Sequence, residues 1–346
     1  MTAAEGSFIG LAKQTAEGAP NVTDAEFEYM LFQRGAFGPN NIFLPLPPEV
    51  GGGAMQRSVV KVGVNSGGGA DFIPRPGTLG HLLYGVTGVA GFTADTPTTG
   101  WNTHDFKLNS ADEFSAPWYT FRYAPGNMWG ESYQDCRINL LALNFSGANF
   151  LTGTLGMVGG LPAKVSPAAW SATSYIDSGP QFLSPVSSIE IPTATSASVL
   201  SGSFVASSVI PLDEQYVVGN YSPEGLDIVH RTFVLNLALK IDSDALYTKM
   251  MYDPADGDAW LAAILREADI KLEFLSDNAT YKLVIAANGQ NQAAGDGNIY
   301  WSAQPLALRA QRQVVLAVTG MFTATDWATY TDGPIQIQLI NAHAQY

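Results

Sequence analysis

A strand–helix–strand pattern recurs in this chain in the same order, about 165 residues further along. Thr120-Phe121-Arg122-Tyr123 is answered by Thr280-Tyr281-Lys282-Leu283, and Leu141-Ala142-Leu143 by Leu306-Ala307-Leu308. Leu155-Gly156-Met157 is answered by Thr319-Gly320-Met321, and Phe106-Lys107-Leu108 by Ile270-Lys271-Leu272. The offsets are 160, 165, 164 and 164. Upstream, Arg57-Ser58-Val59-Val60 matches Arg231-Thr232-Phe233-Val234 at 174, and a short helix is expected after each. Apolar triplets recur by chance, but collinear matches at a nearly constant offset are harder to obtain that way. The period is too long for a solenoid unit and fits a duplicated domain. The matched positions hold no catalytic residues, which suggests a building block for rings.

A length of 346 residues is enough for two domains, each with a core of its own. With 35 Gly and 20 Pro among many Ser and Thr, the chain favours short strands joined by turns. Charged residues make up only 14%, so much of the surface is uncharged and suited to subunit contacts. The net charge is −14, and no basic residue stands between Lys164 and Arg231. Attraction to phosphate needs clustered Lys and Arg, so specific nucleic-acid binding is not expected. A surface that DNA passes without sticking is compatible with this balance. The lone Cys136 rules out an internal disulfide and reads as a small buried hydrophobe. Met1-Thr2-Ala3-Ala4-Glu5 lacks the basic and apolar parts of a signal peptide, and no apolar run reaches membrane-spanning length.

Residues 1–25 are small and polar and read as an arm, with a first strand from Phe27 to Phe32. Residues 35–56, rich in Gly and Pro, read as a long loop with the apolar tip Ile42-Phe43-Leu44. A strand from Ser58 to Val64 follows, broken by Gly67-Gly68-Gly69. Leu79 to Tyr84 reads as a short helix. Its counterpart is capped by Asp256 or Asp258, presents Trp260, Leu261, Ile264 and Leu265 on one face, and has Arg266 toward its end. After each helix an alternating strand is expected. Asp105 and Lys107 alternate with Phe106 and Leu108; Asp269, Lys271 and Glu273 alternate with Ile270, Leu272 and Phe274. Residues 161–202, rich in Ser, Pro, Ala and Thr, read as the connection between the halves. In the tail, Ile335, Ile337 and Leu339 alternate with Gln336 and Gln338, giving a strand followed by a short arm.

Chemistry is hard to find. There is no phosphate-binding glycine loop with its lysine, and no dinucleotide fingerprint. His81, His104, His230 and His343 are widely spaced, and none pairs with another His or Cys at metal-ligand spacing. No serine sits in a Gly-x-Ser-x-Gly elbow beside His104-Asp105. Asp112-Glu113 and Asp213-Glu214 are adjacent pairs that point to opposite faces of a strand, and they read as solvated loops rather than a glycosidase pair. The aromatic run Trp118, Tyr119, Phe121, Tyr123, Trp129 and Tyr133 reads as core or subunit interface, with a sugar-stacking platform as the alternative. Trp118, Tyr119 and Trp129 are the inter-subunit candidates. Neither a catalytic residue, a metal site nor a cofactor is assigned.

The segment from Tyr133 to Leu143, leading to Gly153-Thr154-Leu155-Gly156, resembles the major tail tube proteins of long-tailed phages. Gly10-Leu11-Ala12-Lys13 and the helix from Leu79 to Gly88 add to the likeness. The resemblance covers most of the first half and, more faintly, the repeat. It is similar to the fused double-domain form found in Thermus phages. It implies a mainly β chain of two tandem tail-tube β-sandwich or barrel domains, each with a flanking helix, long loops and terminal arms. The expected units are residues 1–185, with the N-terminal arm and the 35–56 loop, and residues 186–346, with the C-terminal arm. It further implies a non-enzymatic virion protein, assembled in the host cytoplasm, whose rings stack into a tube that DNA traverses. Single-domain members make six-fold rings, so a double-domain chain would need three copies. A tape measure protein and tail terminator or tip proteins are the implied partners. The long loop and the uncharged 161–202 connection depart from the family pattern.

Geometry allows such a tube. If each domain gives four strands, three chains give ~24; at ~4.8 Å spacing and roughly 40° tilt the backbone diameter is ~48 Å and the bore ~38 Å, enough for a duplex. Asp105, Lys107, Asp269, Lys271 and Glu273 are the expected lumen-facing residues, and Asn40, Asn41, Ile42, Phe43 and Leu44 the expected inter-ring contact. The other readings are a capsid-decorating or receptor-binding virion β protein and, behind it, a glycoside hydrolase.

Overall fold

The computed structural model describes residues 7–47, 55, 58–108, 114–126, 129–166, 170, 177, 179–190, 197–241, 265–267, 270–277, 280–287, 297–303, 314–324, 333–344 and 346. The alternation read from the sequence holds where it was strongest. In β15 (Lys271–Ser276) and β19 (Gln336–Asn341) every second residue is buried, and in β6 (Asn102–Lys107) Phe106 is fully buried between half-buried Asp105 and Lys107. These strands form a six-stranded antiparallel sheet with β5 (Val89–Thr93), β11 (Phe182–Glu190) and β16 (Lys282–Ala286), in the order β11-β15-β16-β19-β6-β5.

The second sheet is a wall. Its strands are β3 (Phe32–Pro45), β4 (Val59–Phe72), β8 (Gly130–Ser146), β9 (Thr152–Gly159), β12 (Ala197–Val209), β13 (His230–Ile241), β17 (Gly297–Ala303) and β18 (Val315–Ala324). They pair antiparallel in the order β3-β4-β9-β8-β12-β13-β18-β17. The first four repeat in the last four: a hairpin, then the strand paired with its second arm, then the strand before that. β8 is long enough to serve two neighbourhoods. Its later residues join the wall, while its early residues pair with β7 (Tyr119–Ala124) and β10 (Pro162–Val165). Beyond β7 lie β1 (Phe8–Lys13) and β2 (Glu28–Met30), and β14 (Leu265–Glu267) borders β17.

The ladders correct the alignment of the repeat. Gly156 pairs with Gly69, and Gly320 with Leu235, so with Gly156 set on Gly320 the β4–β13 offset is 166, not the 174 of Val60 and Val234. Leu141, opposite Leu155, corresponds to Ser302, opposite Thr319, rather than to Leu306, which lies outside the described residues. β7 and β16, matched in sequence, fall in different sheets.

Other expectations give way to pairing. The first half of the 35–56 loop is strand: β3 runs to Pro45, because Gly35 and Gly38 sit opposite Ala70 and Gly67 in a ladder that needs no side chain from them. Gly67-Gly68-Gly69 do not break β4. They let the backbones close up, and a Cβ on Gly68 would lie 2.0 Å from the Ala36 carbonyl oxygen. The arm 1–25 contains β1, whose Ile9 and Leu11 are fully buried. The 161–202 connection supplies β10, β11 and the start of β12, and the expected domain boundary at 185 falls inside β11. The second helix lies outside the described residues, except at its end, where Leu265–Glu267 is strand.

The one α-helix among the described residues, α1 (Pro76–Thr87), was read from Leu79 to Tyr84 and is longer at both ends. Pro76 opens it, and Gly88, with φ 86°, closes it by donating its N–H to Tyr84 O. It lies between the sheets, with Leu79, Leu82, Leu83 and Val86 wholly buried, each worth roughly 1.5–3 kcal/mol. Arg231 of β13 donates to Thr87 O at 3.1 Å, tying the last turn to the second half of the chain. One continuous core runs between the sheets, where Phe145 meets Phe274 at 5.2 Å.

Candidate functional site

The wall has a junction inside it and open edges outside it. Inside, β8 meets β12 in seven registered pairs, from Ser146–Ser201 to Leu140–Ser207. This joins the last strand of the first four-stranded array to the first strand of the second. At the two ends of the wall stand the same kinds of strand. Among the described residues β3 pairs only with β4, and the outer side of β17 meets β14 at Ile299, Tyr300 and Trp301 alone. Open edges of this length are templates for pairing with another chain.

One face of the wall is apolar and packs into the core. The other carries mostly uncharged groups. Thr152, Asn144, Ser203, Asn236, Thr319 and Ser302 form one polar row across six strands. Within it Asn236 Nδ2 donates to Ser203 Oγ at 3.3 Å, and Thr319 Oγ1 donates to Asn236 Oδ1 at 2.9 Å. The next row reads Arg34, Asp71, Thr154, Ala142, Val205, Val234, Met321 and Tyr300, with Arg34 ion-paired to Asp71 and Thr154 Oγ1 donating to Asp71 Oδ1 at 2.7 Å. Such a face is poor in cations: Arg34 is ion-paired to Asp71, and Lys240 stands toward one end of β13, so few groups are there to displace the counterions of DNA phosphate.

Most of the residues expected to face the lumen stand on the other sheet. Asp105, Lys107, Lys271 and Glu273 belong to the six-stranded sheet, on the side opposite its buried residues, and Asp269 is outside the described residues. Asp105 accepts from Gln336 and Gln338 at 3.2 and 2.9 Å. Glu273 sits 3.1 Å from Lys271 and 2.8 Å from Lys282; these cations hold its carboxyl low against the opposing effect of burial. Asn40 to Leu44 lie in β3 near the far end of the β3–β4 hairpin, with Phe43 and Leu44 each 58% exposed. Trp118 and Trp129 are half-buried, and the Arg137 guanidinium stacks on Trp118 at 4.0 Å. Tyr119 is not an interface residue: it is wholly buried and donates to His81 O at 2.7 Å. Phe121, Tyr123 and Tyr133 are core as well, which removes the sugar platform.

Sequence spacing missed one cluster. His81, His104 and His343 converge on Tyr346, with ring centroids 5.1, 4.7 and 4.2 Å away. Tyr346 Oη donates to Pro76 O at 2.9 Å, and its ring fills the space a Cβ on Gly80 would need. Burial lowers His81 to about 3, so it stays neutral, and it also lowers His104. The only available signal was residue type, since the three histidines come from a helix, a strand and the tail. Among the described residues no group of three or more His, Cys, Asp and Glu is arranged to hold a metal ion.

A wall of repeated strand order, with a free β3 edge and a β17 edge that β14 covers at Ile299 to Trp301 among the described residues, backed by an apolar core, is suited to joining copies of itself. A family model described as phage tail tube protein matches residues 5–310. The chain therefore belongs to the phage tail tube protein family and is a structural component of a phage tail that self-assembles into a tube. A search of curated proteins finds no significant match. No helix among the described residues is long and apolar enough to cross a membrane.

Proposed function

We propose that the chain is two fused tube units, and that three copies close a ring of pseudo-six-fold symmetry around a lumen for DNA. The observation that carries this is the β8–β12 junction. In the repeated order β17 stands where β8 stands, and β3 where β12 stands. An antiparallel β17–β3 pairing between copies, with β14 displaced from Ile299 to Trp301, would reproduce outside the chain the joint already made within it. Eight wall strands per chain give 24 for three chains, the number for which the bore was worked out above. The charge-poor face of the wall, with the Arg34–Asp71 ion pair near its β3 edge, then lines the lumen, and the charged strands β6 and β15 face outward. The units meet near β11, the strand that contains the expected boundary at residue 185. Rings stack through the β3–β4 hairpin, including Asn40 to Leu44. The assembly takes place in the host cytoplasm, in the double-domain manner of Thermus phages, with a tape measure protein inside and terminator and tip proteins at the ends. Mass measurement of isolated rings tests the count: three chains per ring are expected, and six would sink the fused-unit reading.

A further inference from the structure

The end of the β3–β4 hairpin exposes apolar side chains on both faces, beside the cation Lys61 opposite Phe43. Phe43 and Leu44 are each 58% exposed, Val59 56% and Val60 53%. Neighbouring residues on a strand point to opposite faces, so both faces are open. A two-stranded ribbon alone is marginal in water, and an exposed apolar patch marks a contact site.

At the opposite end of the same wall is a cleft of about 190 Å³. It opens where β8 ends and β12 begins, and Phe145, Ser146, Ser184, Ile189, Leu200 and Phe274 line it. Ser184 Oγ is buried there without a partner. The strand directions fix the placement: Ser146 pairs with Ser201 at one end of the wall, while Pro45 pairs with Val59 at the other. The stretch Asn40 to Leu46 and the cleft lining hold no charged residue, and the paired arm adds a cation, Lys61, opposite Phe43. In a chain of net charge −14, these are surfaces where two copies meet without like-charge repulsion.

We infer that the hairpin end of one copy seats in this cleft of a second copy, head to tail along the strand direction. A heterologous contact of that kind does not close; it repeats, and the product is a filament. The inference rests on the tube reading and names the two surfaces that meet between successive rings.

Two single-cysteine variants test it, Leu44→Cys and Leu200→Cys. The native Cys136 is buried and its thiol is pushed up by that burial, so it takes no part. Mixed, assembled and oxidised, the two variants should give a covalent dimer that neither gives alone. Tubes of normal length without that dimer would overturn the pairing and leave the tube reading intact. A dimer from Leu44→Cys alone would also overturn it, because hairpin would then meet hairpin. Should the variants not assemble, axial averaging of wild-type tubes decides: hairpin density against the β8–β9 turn supports the inference, and density elsewhere ends it. A wild-type chain that forms neither rings nor tubes removes the tube reading and this inference together.

Discussion

Phe43 illustrates how little a single exposed residue contributes to the fold that carries it. Its side chain is largely in solvent, so Phe43→Ala should leave the melting of the unassembled subunit within about 0.5 kcal/mol of wild type. Polymerisation followed by light scattering should nevertheless slow, because each tube sums many such contacts. Normal growth with a destabilised subunit would return Phe43 to its own core. Arg122 is the opposite case. It is buried, ion-paired to Asp24, hydrogen-bonded to Tyr29 Oη at 2.5 Å, and stacked on Phe27 at 3.6 Å. Arg122→Ala should cost about 3 kcal/mol in denaturant titration, since Asp24 loses its charged partner and the stack opens. The histidines add a pH dependence. His81 is neutral in the fold, near 3, but takes up a proton around 6.5 once unfolded. Its contribution is therefore whole above about pH 6.5 and falls by about 1.4 kcal/mol per pH unit as the medium becomes more acid than that. His104 acts in the same direction. The melting temperature should drop on acidification, and His81→Gln should flatten the drop.

At the level of elements, β12 and β13 show what a strand can be made of. β12 is Ser-rich, and its outer face, Ser203, Val205 and Ser207, carries no charge. Phe204 and Ala206 on the inner face are fully buried, and this two-residue period is enough to make it a wall strand. If that outer face lines the lumen, lysines at Ala142 and Ala238 should slow DNA ejection from assembled tails, because each adds a phosphate contact. Glu273→Lys, on the other sheet, should leave ejection kinetics unchanged. The reverse pattern would move the lumen to the six-stranded sheet and revive Asp105 and Lys271 as lining residues. The glycines of β4 have a different role: Gly68 is required by the closeness of β3, and a Cβ on Gly69 would lie 2.9 Å from the Leu155 carbonyl oxygen of β9.

For the whole molecule, the two halves share what a pair of tethered domains would keep separate. β19, from the end of the chain, pairs with β6, from its first third. β8 pairs with β12 across the middle of the wall, and Arg231 reaches the end of α1. A fragment ending at residue 180 therefore loses a neighbour on each sheet and uncovers Phe106 and Phe145. It should show no cooperative melting as a monomer, measured by calorimetry, whatever the similarity between the two arrays. A sharp transition in that fragment would mean that the first unit is self-sufficient.

The period-two strands β6, β15 and β19, the helix around Leu79 to Tyr84 and the buried Cys136 were legible because each depends on residues close in sequence. Low charge and the absence of spaced ligands pointed to a structural protein for the same reason. Partners across the fold decided the rest. Gly- and Pro-rich residues 35–45 look like a loop until β4 supplies a ladder, and the Ser-rich 161–202 stretch becomes strand only when β8, β13 and β15 pair with it. The histidine–tyrosine cluster is assembled from residues up to 265 positions apart, so no local pattern contains it. Strand order, and with it the junction that repeats at the open edges, is set by backbone hydrogen bonds, which every residue type but proline makes alike.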